Sequence, residues 1–182
     1  MAEPLPTFTV LFVAGVTPTK WERIWNERMR RQRLELRLAT PAEAFAALRD
    51  GAAGAAFLRD LAADDEFSAI RLYDEQPVVV ASRDHLFSAV GANETIGADE
   101  LAAENLLDGQ DADTIELVAA GVGVATMPQS VARLLSRRDV IARPLRDAAP
   151  TTISLVWPID RTTPAVEALI GIVRGRTQNS SR

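Results

Sequence analysis

Phe8-Thr-Val-Leu-Phe-Val-Ala-Gly-Val16 decides the fold, because it is apolar almost throughout and rich in β-branched residues. Such a run is typical of a strand that is buried on both faces of a parallel sheet. A helical pattern follows, and residues 34–39 then alternate between apolar and polar as a second strand does. A second helical pattern ends at Gly51, and residues 55–58 form a third apolar run. The order β-α-β-α-β predicts an α/β fold built on a parallel sheet.

The rest of the chain continues to switch between strand and helix periods. We predict strands at 69–73 and 78–81 around a turn at 74–77, helices at 98–107 and 114–120, a strand at 122–127, a helix at 129–135, strands at 140–145 and 153–157, and a helix at 163–174. Residues 1–6 and the polar tail 178–182 are expected to be disordered.

The composition excludes several classes of protein. The chain has 182 residues and no cysteine, which rules out disulfides and sites that bind a metal through cysteine. Its net charge of −5 opposes nucleic-acid binding, although six basic and two acidic residues lie between Lys20 and Arg33. We interpret that run as the solvated face of a helix. Without a signal peptide or a run of about 20 apolar residues, the chain is expected to be cytoplasmic and free of the membrane.

Three Thr-Pro pairs, at Thr17, Thr40 and Thr163, stand just before helical patterns. Threonine is a good N-cap and proline suits the first helical position, although Thr19 competes with Thr17 as the first cap. Thr40 also starts a capping box with Glu43. Thr17 and Thr40 follow the ends of successive strands, where open parallel sheets bind ligands. Two interpretations stay open: helix caps alone, or helix N-termini that attract an anion.

Several motifs then resemble one known family. They are residues 8–17, residues 34–51, Glu75-Gln-Pro-Val-Val-Val-Ala81 with Asp84-His-Leu-Phe-Ser88, Val118-Ala-Ala-Gly-Val-Gly-Val-Ala-Thr-Met-Pro128, and Ile153-Ser-Leu-Val-Trp157 with Thr163-Pro-Ala165. Together they are similar to the substrate-binding (effector-binding) domain of LysR-type transcriptional regulators. The resemblance implies a two-lobed α/β fold of the type 2 periplasmic-binding-protein kind.

The resemblance assigns lobe I to residues 7–83 and 158–177, and a shortened lobe II to residues 84–157. It implies a cleft between the lobes that binds a small molecule, through Thr17, Pro18, Thr19, Thr40 and Thr126.

This chain also departs from the family pattern. Leu86 and Gly54 stand where the family usually has proline and aspartate, and only a polar link joins Leu107 to Thr114 where a further strand and helix are usual. Only seven residues precede Phe8, so the family's DNA-binding domain is expected to be absent and no direct DNA contact is expected.

The expected function is the sensing of a small anionic metabolite, a carboxylate, for transcription regulation. The partner would be a second copy or a full-length regulator, or the domain would act alone, and no cofactor is expected. An interaction module with a degenerate cleft is the alternative, and an enzyme on this fold is a further one. Against an enzyme, His85 is the only histidine and no nucleophile motif accompanies it. The carboxylates at 108, 111, 113 and 116 miss the calcium-loop spacing, so no metal is expected.

Overall fold

The computed structural model describes residues 5–61 and 65–175, and the chain divides into two compact units. The first unit runs to Tyr73 and resumes at Thr152, and the second spans Asp74–Thr151. The predicted disorder of residues 1–4 and 178–182 lies outside the described residues. Pro6, also predicted to be disordered, accepts a hydrogen bond from the Arg33 N–H at 3.0 Å.

The first unit is built on a five-stranded sheet in the order β2-β1-β3-β9-β4. β1 pairs in parallel with β2 and β3, whereas β3 and β9 are antiparallel. The predicted β-α-β-α-β order is therefore confirmed. The strands are β1 (Thr7–Phe12), β2 (Arg33–Leu38), β3 (Ala55–Arg59), β4 (Phe67–Glu75) and β9 (Thr151–Pro158), and the helices are α1 (Thr19–Arg28), α2 (Pro41–Asp50) and α6 (Pro164–Val173).

Stacked aromatic rings fix α1 in the core of this unit. Trp25 is fully buried and stacks on Phe8 with the ring centroids 5.2 Å apart, and Trp21 stacks on Phe57 at 4.6 Å. Both tryptophans therefore pack in or against the core of the first unit. β1 ends at Phe12 instead of Val16, because the chain turns at Gly15, whose φ of 87° belongs to the left-handed region.

The second unit is built on a four-stranded sheet in the order β6-β7-β5-β8. β5 is antiparallel to β7 and β8, whereas β6 pairs with β7 in parallel. The strands are β5 (Pro77–Ser82), β6 (Leu106–Leu107), β7 (Val124–Pro128) and β8 (Val140–Pro144), the helices are α3 (Ala98–Ala102), α4 (Ala112–Ala119) and α5 (Gln129–Leu134), and a short 3-10 helix spans Leu86–Ala89.

The helix predicted at 98–107 is wrong in its second half. α3 ends at Ala102, and β6 occupies Leu106–Leu107 because the backbone there pairs with β7. Local helix propensity is a weak preference that such a long-range pairing overrides. β6 is only two residues long, and α4 follows it after a short link.

The predicted assignment of two strands to the lobes is also wrong. β5 lies in the second sheet and β9 lies in the first, whereas the predicted lobes placed residues 77–83 in lobe I and 151–157 in lobe II. The turn predicted at 74–77 is reduced to Gln76, because β4 ends at Glu75 and β5 begins at Pro77. The two strands belong to different sheets. An apolar pattern identifies a strand but not the sheet that the strand joins.

Candidate functional site

The candidate site in the first unit lies at the edge of the sheet where β1 and β2 end. Since these strands are parallel neighbours, the connections to α1 and α2 leave from the same edge. The carboxyl edge of parallel strands is the usual place for a ligand in an open α/β sheet. Thr17, Pro18 and Thr19 lie in the first connection, and Thr40 ends the second.

The start of α1 differs from the prediction. The N-cap is Pro18 and carries no side-chain cap, so the expected capping by Thr17 or Thr19 is wrong. Pro18 is buried, and its carbonyl accepts from the N–H groups of Trp21 and Glu22 at 2.9 and 3.1 Å. Packing of Pro18 and the tryptophans thus sets the helix start. Thr17 and Thr19 are exposed, and within residues 5–61 and 65–175 their hydroxyls form no hydrogen bond.

The start of α2 is closed by a complete capping box, as predicted. The Thr40 hydroxyl accepts from the Glu43 N–H at 3.3 Å, and the Glu43 carboxylate accepts from the Thr40 N–H at 2.7 Å and from its hydroxyl at 2.8 Å. The Thr40 N–H, and secondly its hydroxyl, hold the pKa of Glu43 below its usual range. A negative charge therefore already occupies this helix start.

The third Thr-Pro pair is a structural cap. The Thr163 hydroxyl accepts from the Val166 N–H at 3.3 Å at the start of α6, and Pro164 is the first residue of the helix. The expected cap is confirmed.

In the second unit, Thr126 lies in a depression of about 500 Å³. Thr126 is half-buried in β7 opposite Val79, and its carbonyl accepts from the Gln110 side-chain amide at 3.5 Å. The depression is lined by Leu106, Leu107, Asp108, Gly109, Gln110 and Thr126. Asp108 and Gln110 were not predicted to line a site, because only the position of β6 brings them to Thr126.

The start of α4 adjoins this depression in sequence and is capped by Asp111. The Asp111 carboxylate accepts from the Thr114 N–H at 2.8 Å and from its hydroxyl at 2.7 Å, and both bonds, the backbone one first, lower the pKa of Asp111. The acidic loop therefore caps the next helix. No group of three potential metal-ligating side chains occurs among the described residues.

The contacts of His85 and Gly54, two other residues singled out by the sequence, indicate structural roles. His85 lies within the second unit, where it contacts Phe87 and Glu104. Gly54 stands where the family usually has aspartate, and a Cβ there would lie 2.3 Å from the Phe8 ring. Phe8, stacked on Trp25, leaves no room for a side chain.

None of the helices in residues 5–61 and 65–175 combines the length and the apolar character needed to cross a membrane.

Comparison with solved structures identifies the fold. An H2O2-bound mutant of OxyR from Corynebacterium glutamicum is 20% identical with a TM-score of 0.75, and the match covers 94% of this chain and 67% of that one. The OxyR regulatory domain of Pseudomonas aeruginosa is 18% identical with a TM-score of 0.73, covering 94% and 97%. The BenM effector-binding domain with its effector benzoate is 18% identical with a TM-score of 0.77, covering 93% and 91%. At these identities the likeness concerns the fold, and it confirms the type 2 periplasmic-binding-protein-like class.

Comparison with sequences identifies the family. Curated protein sequences give no match to this chain. The sequence profile of the LysR substrate binding domain matches residues 20–114 and 109–178, which is most of the chain. The chain therefore belongs to the LysR substrate-binding domain family, the effector-binding domains of LysR-type transcriptional regulators.

Proposed function

We propose that this chain binds a small anionic metabolite and transmits the bound state to transcription, through a partner or as a stand-alone ligand-binding protein. The observation that carries the proposal is the start of α1, which has no side-chain cap and lies at the carboxyl edge of two parallel strands in a member of this family. Thr17 and Thr19 offer exposed hydroxyls there, and no side chain caps the helix. A helix N-terminus favours an anion.

The other predicted contacts differ in what they can offer. Thr40 is a weaker candidate, since its hydroxyl both donates and accepts within the capping box and the charge of Glu43 repels an anion. Thr126 and the depression around it are proposed as the ligand-contacting surface of the second unit. Pro18 is proposed to contribute by fixing the backbone between the two exposed threonines.

Electrostatics at α1 is too weak to bind a ligand alone. One helix N-terminus contributes about 0.3–2 kcal/mol, whereas a micromolar ligand requires about 8 kcal/mol. Most of the affinity must therefore come from further polar and apolar contacts. The helix start is proposed to orient the carboxylate.

Matched ligands and matched variants test this proposal. Benzoate, the effector bound by BenM, is compared with its neutral analogue benzamide, and a panel of aliphatic carboxylates and amino acids is added. We expect at least one carboxylate to raise Tm and its amide to have no effect. Thr17→Ala and Thr19→Ala should remove the shift, whereas Thr40→Ala should lower Tm but retain it. A panel without any shift, or shifts unchanged in Thr17→Ala and Thr19→Ala, would contradict the proposal.

Self-association is a second candidate function, favoured by the separation of charge between the units. Residues 1–73 and 152–182 contain 14 basic and 12 acidic residues, a net charge of +2, whereas residues 74–151 contain 6 and 13, a net charge of −7. We propose a homodimer, or a heterodimer with a full-length regulator, in which surfaces of opposite sign meet. Sedimentation should show a dimer at about 0.05 M salt that weakens at about 1 M, where charges are screened. A monomer at both salt concentrations would oppose the homodimer.

Two further parts of the proposal concern enzymatic activity and the cellular compartment. We propose that the chain is not an enzyme, since its family consists of regulator domains and His85 is engaged with Phe87 and Glu104 rather than with a nucleophile. A domain that serves transcription is expected in the cytoplasm. Turnover of a bound metabolite would contradict the first of these points.

A further inference from the structure

The segment that lines the depression beside Thr126 has little secondary structure to hold it. β6 contains two residues, lies at the edge of its sheet and pairs only with β7. Its register consists of Leu106 opposite Val124 and Leu107 opposite Ala125. Two ladder pairs hold a strand only weakly, so the contacts that precede β6 add to the packing of Leu107 in setting its position.

Asn105 forms the first of these contacts. Its carbonyl accepts from the Val124 N–H at 2.9 Å, and its side-chain amide donates to the Val122 carbonyl at 2.7 Å. A Cβ on Gly123 would lie 2.3 Å from the Asn105 carbonyl oxygen. The glycine-rich junction before β7 is therefore required for β6 to approach this closely.

Glu104 forms the second contact, and it pairs with His85. The Phe87 N–H donates to Nδ1 of His85 at 3.2 Å, so Nδ1 carries no proton and the ring proton lies on Nε2. Nε2 lies 3.0 Å from the Glu104 carboxylate and donates to it. The ring also packs edge-on against Phe87, with the centroids 4.5 Å apart, and Phe87 is only 1% exposed. His85 is thus fixed by a core residue on one side and bonded to Glu104 on the other.

We infer that His85 and Glu104 are a positioning pair that holds residues 104–110 in place and so sets the shape of the depression beside Thr126. The link runs from the core residue Phe87 through the imidazole to Glu104, and along the backbone to Gln110. This positioning role depends on the proposed function in one respect, because the depression is taken to be a surface that contacts the ligand. The anchoring itself requires no ligand.

Three variants separate this role from other roles of the same residues. Glu104→Gln keeps an oxygen that accepts from Nε2, whereas Glu104→Ala removes it. His85→Asn keeps an oxygen that can accept from the Phe87 N–H but is too short to reach Glu104. Glu94→Ala is the matched control, because Glu94 accepts from the Gly91 N–H at 3.0 Å in a different turn of the same unit.

Amide hydrogen exchange of the ligand-free protein, followed by NMR, is the measurement. We expect exchange at Val124 and at residues 105–110 to be about tenfold faster in Glu104→Ala and in His85→Asn, because each variant loses the hydrogen bond between the two side chains. The double variant should exchange no faster than either single variant, because only that one bond is lost. Glu104→Gln and Glu94→Ala should match the wild type. The ¹⁵N shifts of His85 should show the Nε2–H tautomer in the wild type and in Glu104→Gln.

Three results would overturn the inference: unchanged exchange in Glu104→Ala, equally fast exchange in Glu104→Gln, or the same change in Glu94→Ala. The Glu104 variants decide the question even if His85→Asn does not fold. The exchange measurement uses no ligand. A ligand panel in which no compound raises Tm would therefore contradict the proposed function without affecting the role of His85 and Glu104. Unchanged exchange together with a carboxylate that raises Tm would contradict the role of His85 and Glu104 and leave the proposed function intact.

Discussion

The starts of α1 and α2 lie at the same edge of one sheet and follow the same dipeptide, yet they differ in what they can bind. At α2 the third residue after the threonine is Glu43, which closes the capping box. At α1 the residue in that position is Lys20, the helix begins at Thr19, and both neighbouring threonines are exposed. The α2 start is therefore occupied by its own capping box, whereas the α1 start leaves two threonine hydroxyls exposed.

The largest expected effect concerns what holds α1 in place without a side-chain cap. Trp25 is fully buried, stacks on Phe8 and donates from its indole N–H to the Gln32 carbonyl at 3.0 Å. We expect Trp25→Ala to lower the free energy of unfolding by about 3–5 kcal/mol, as large-to-small changes in a core do. Urea denaturation measures it. A loss below about 1 kcal/mol would mean that packing does not hold α1.

Removal of the cap at α2 should have a smaller effect. Thr40→Ala deletes the hydroxyl that accepts from the Glu43 N–H, and we expect a loss of about 1 kcal/mol in the free energy of unfolding. Thr17→Ala is the matched change at α1 and should cost no more than a few tenths of a kcal/mol, as surface changes do. Equal losses in the two variants would remove the difference between the helix starts.

The caps of α2 and α6 and the order β-α-β-α-β of the first unit could be predicted because their signals are local. Thr40 and Glu43 lie within one turn, and so do Thr163 and Val166. The sequence failed where distant residues decide. Pro18 became the N-cap through burial, and residues 103–107 left the predicted helix because Asn105 bonds to Val124, 19 positions away. The depression beside Thr126 depends on the same pairing, so its lining residues could not be found from spacing alone.

A single substitution should convert the start of α1 into a copy of α2. Lys20→Glu gives Thr17-Pro-Thr-Glu, which matches Thr40-Pro-Ala-Glu43, and we expect the N-cap to move to Thr17. The gain in the free energy of unfolding should be about 0.5–1 kcal/mol, measured in urea. Binding of any carboxylate found in the panel should be lost, because the new carboxylate occupies the helix start. Lys20→Gln is the control for loss of the lysine charge, and binding that survives Lys20→Glu would place the anion elsewhere.

The smallest effect is the pH dependence of the closed start. Because hydrogen bonds from Thr40 lower the pKa of Glu43 in the folded protein, the ionised carboxylate stabilises α2 above its unfolded pKa, and this contribution is lost as pH falls through the folded pKa. The difference in stability between the wild type and Glu43→Gln should therefore be constant near neutral pH and shrink in acid, as measured by urea denaturation across a pH series. In the Thr40→Ala background the hydroxyl bond is lost and the backbone N–H bond remains, so the pH dependence of that difference should be reduced but not abolished. A difference in stability that persists unchanged in acid would mean that the ionised carboxylate of Glu43 stabilises α2 no more than the neutral carboxyl does. In that case the pKa of Glu43 would be the same in the folded and the unfolded protein, and Thr40 would not stabilise the negative charge at this helix start.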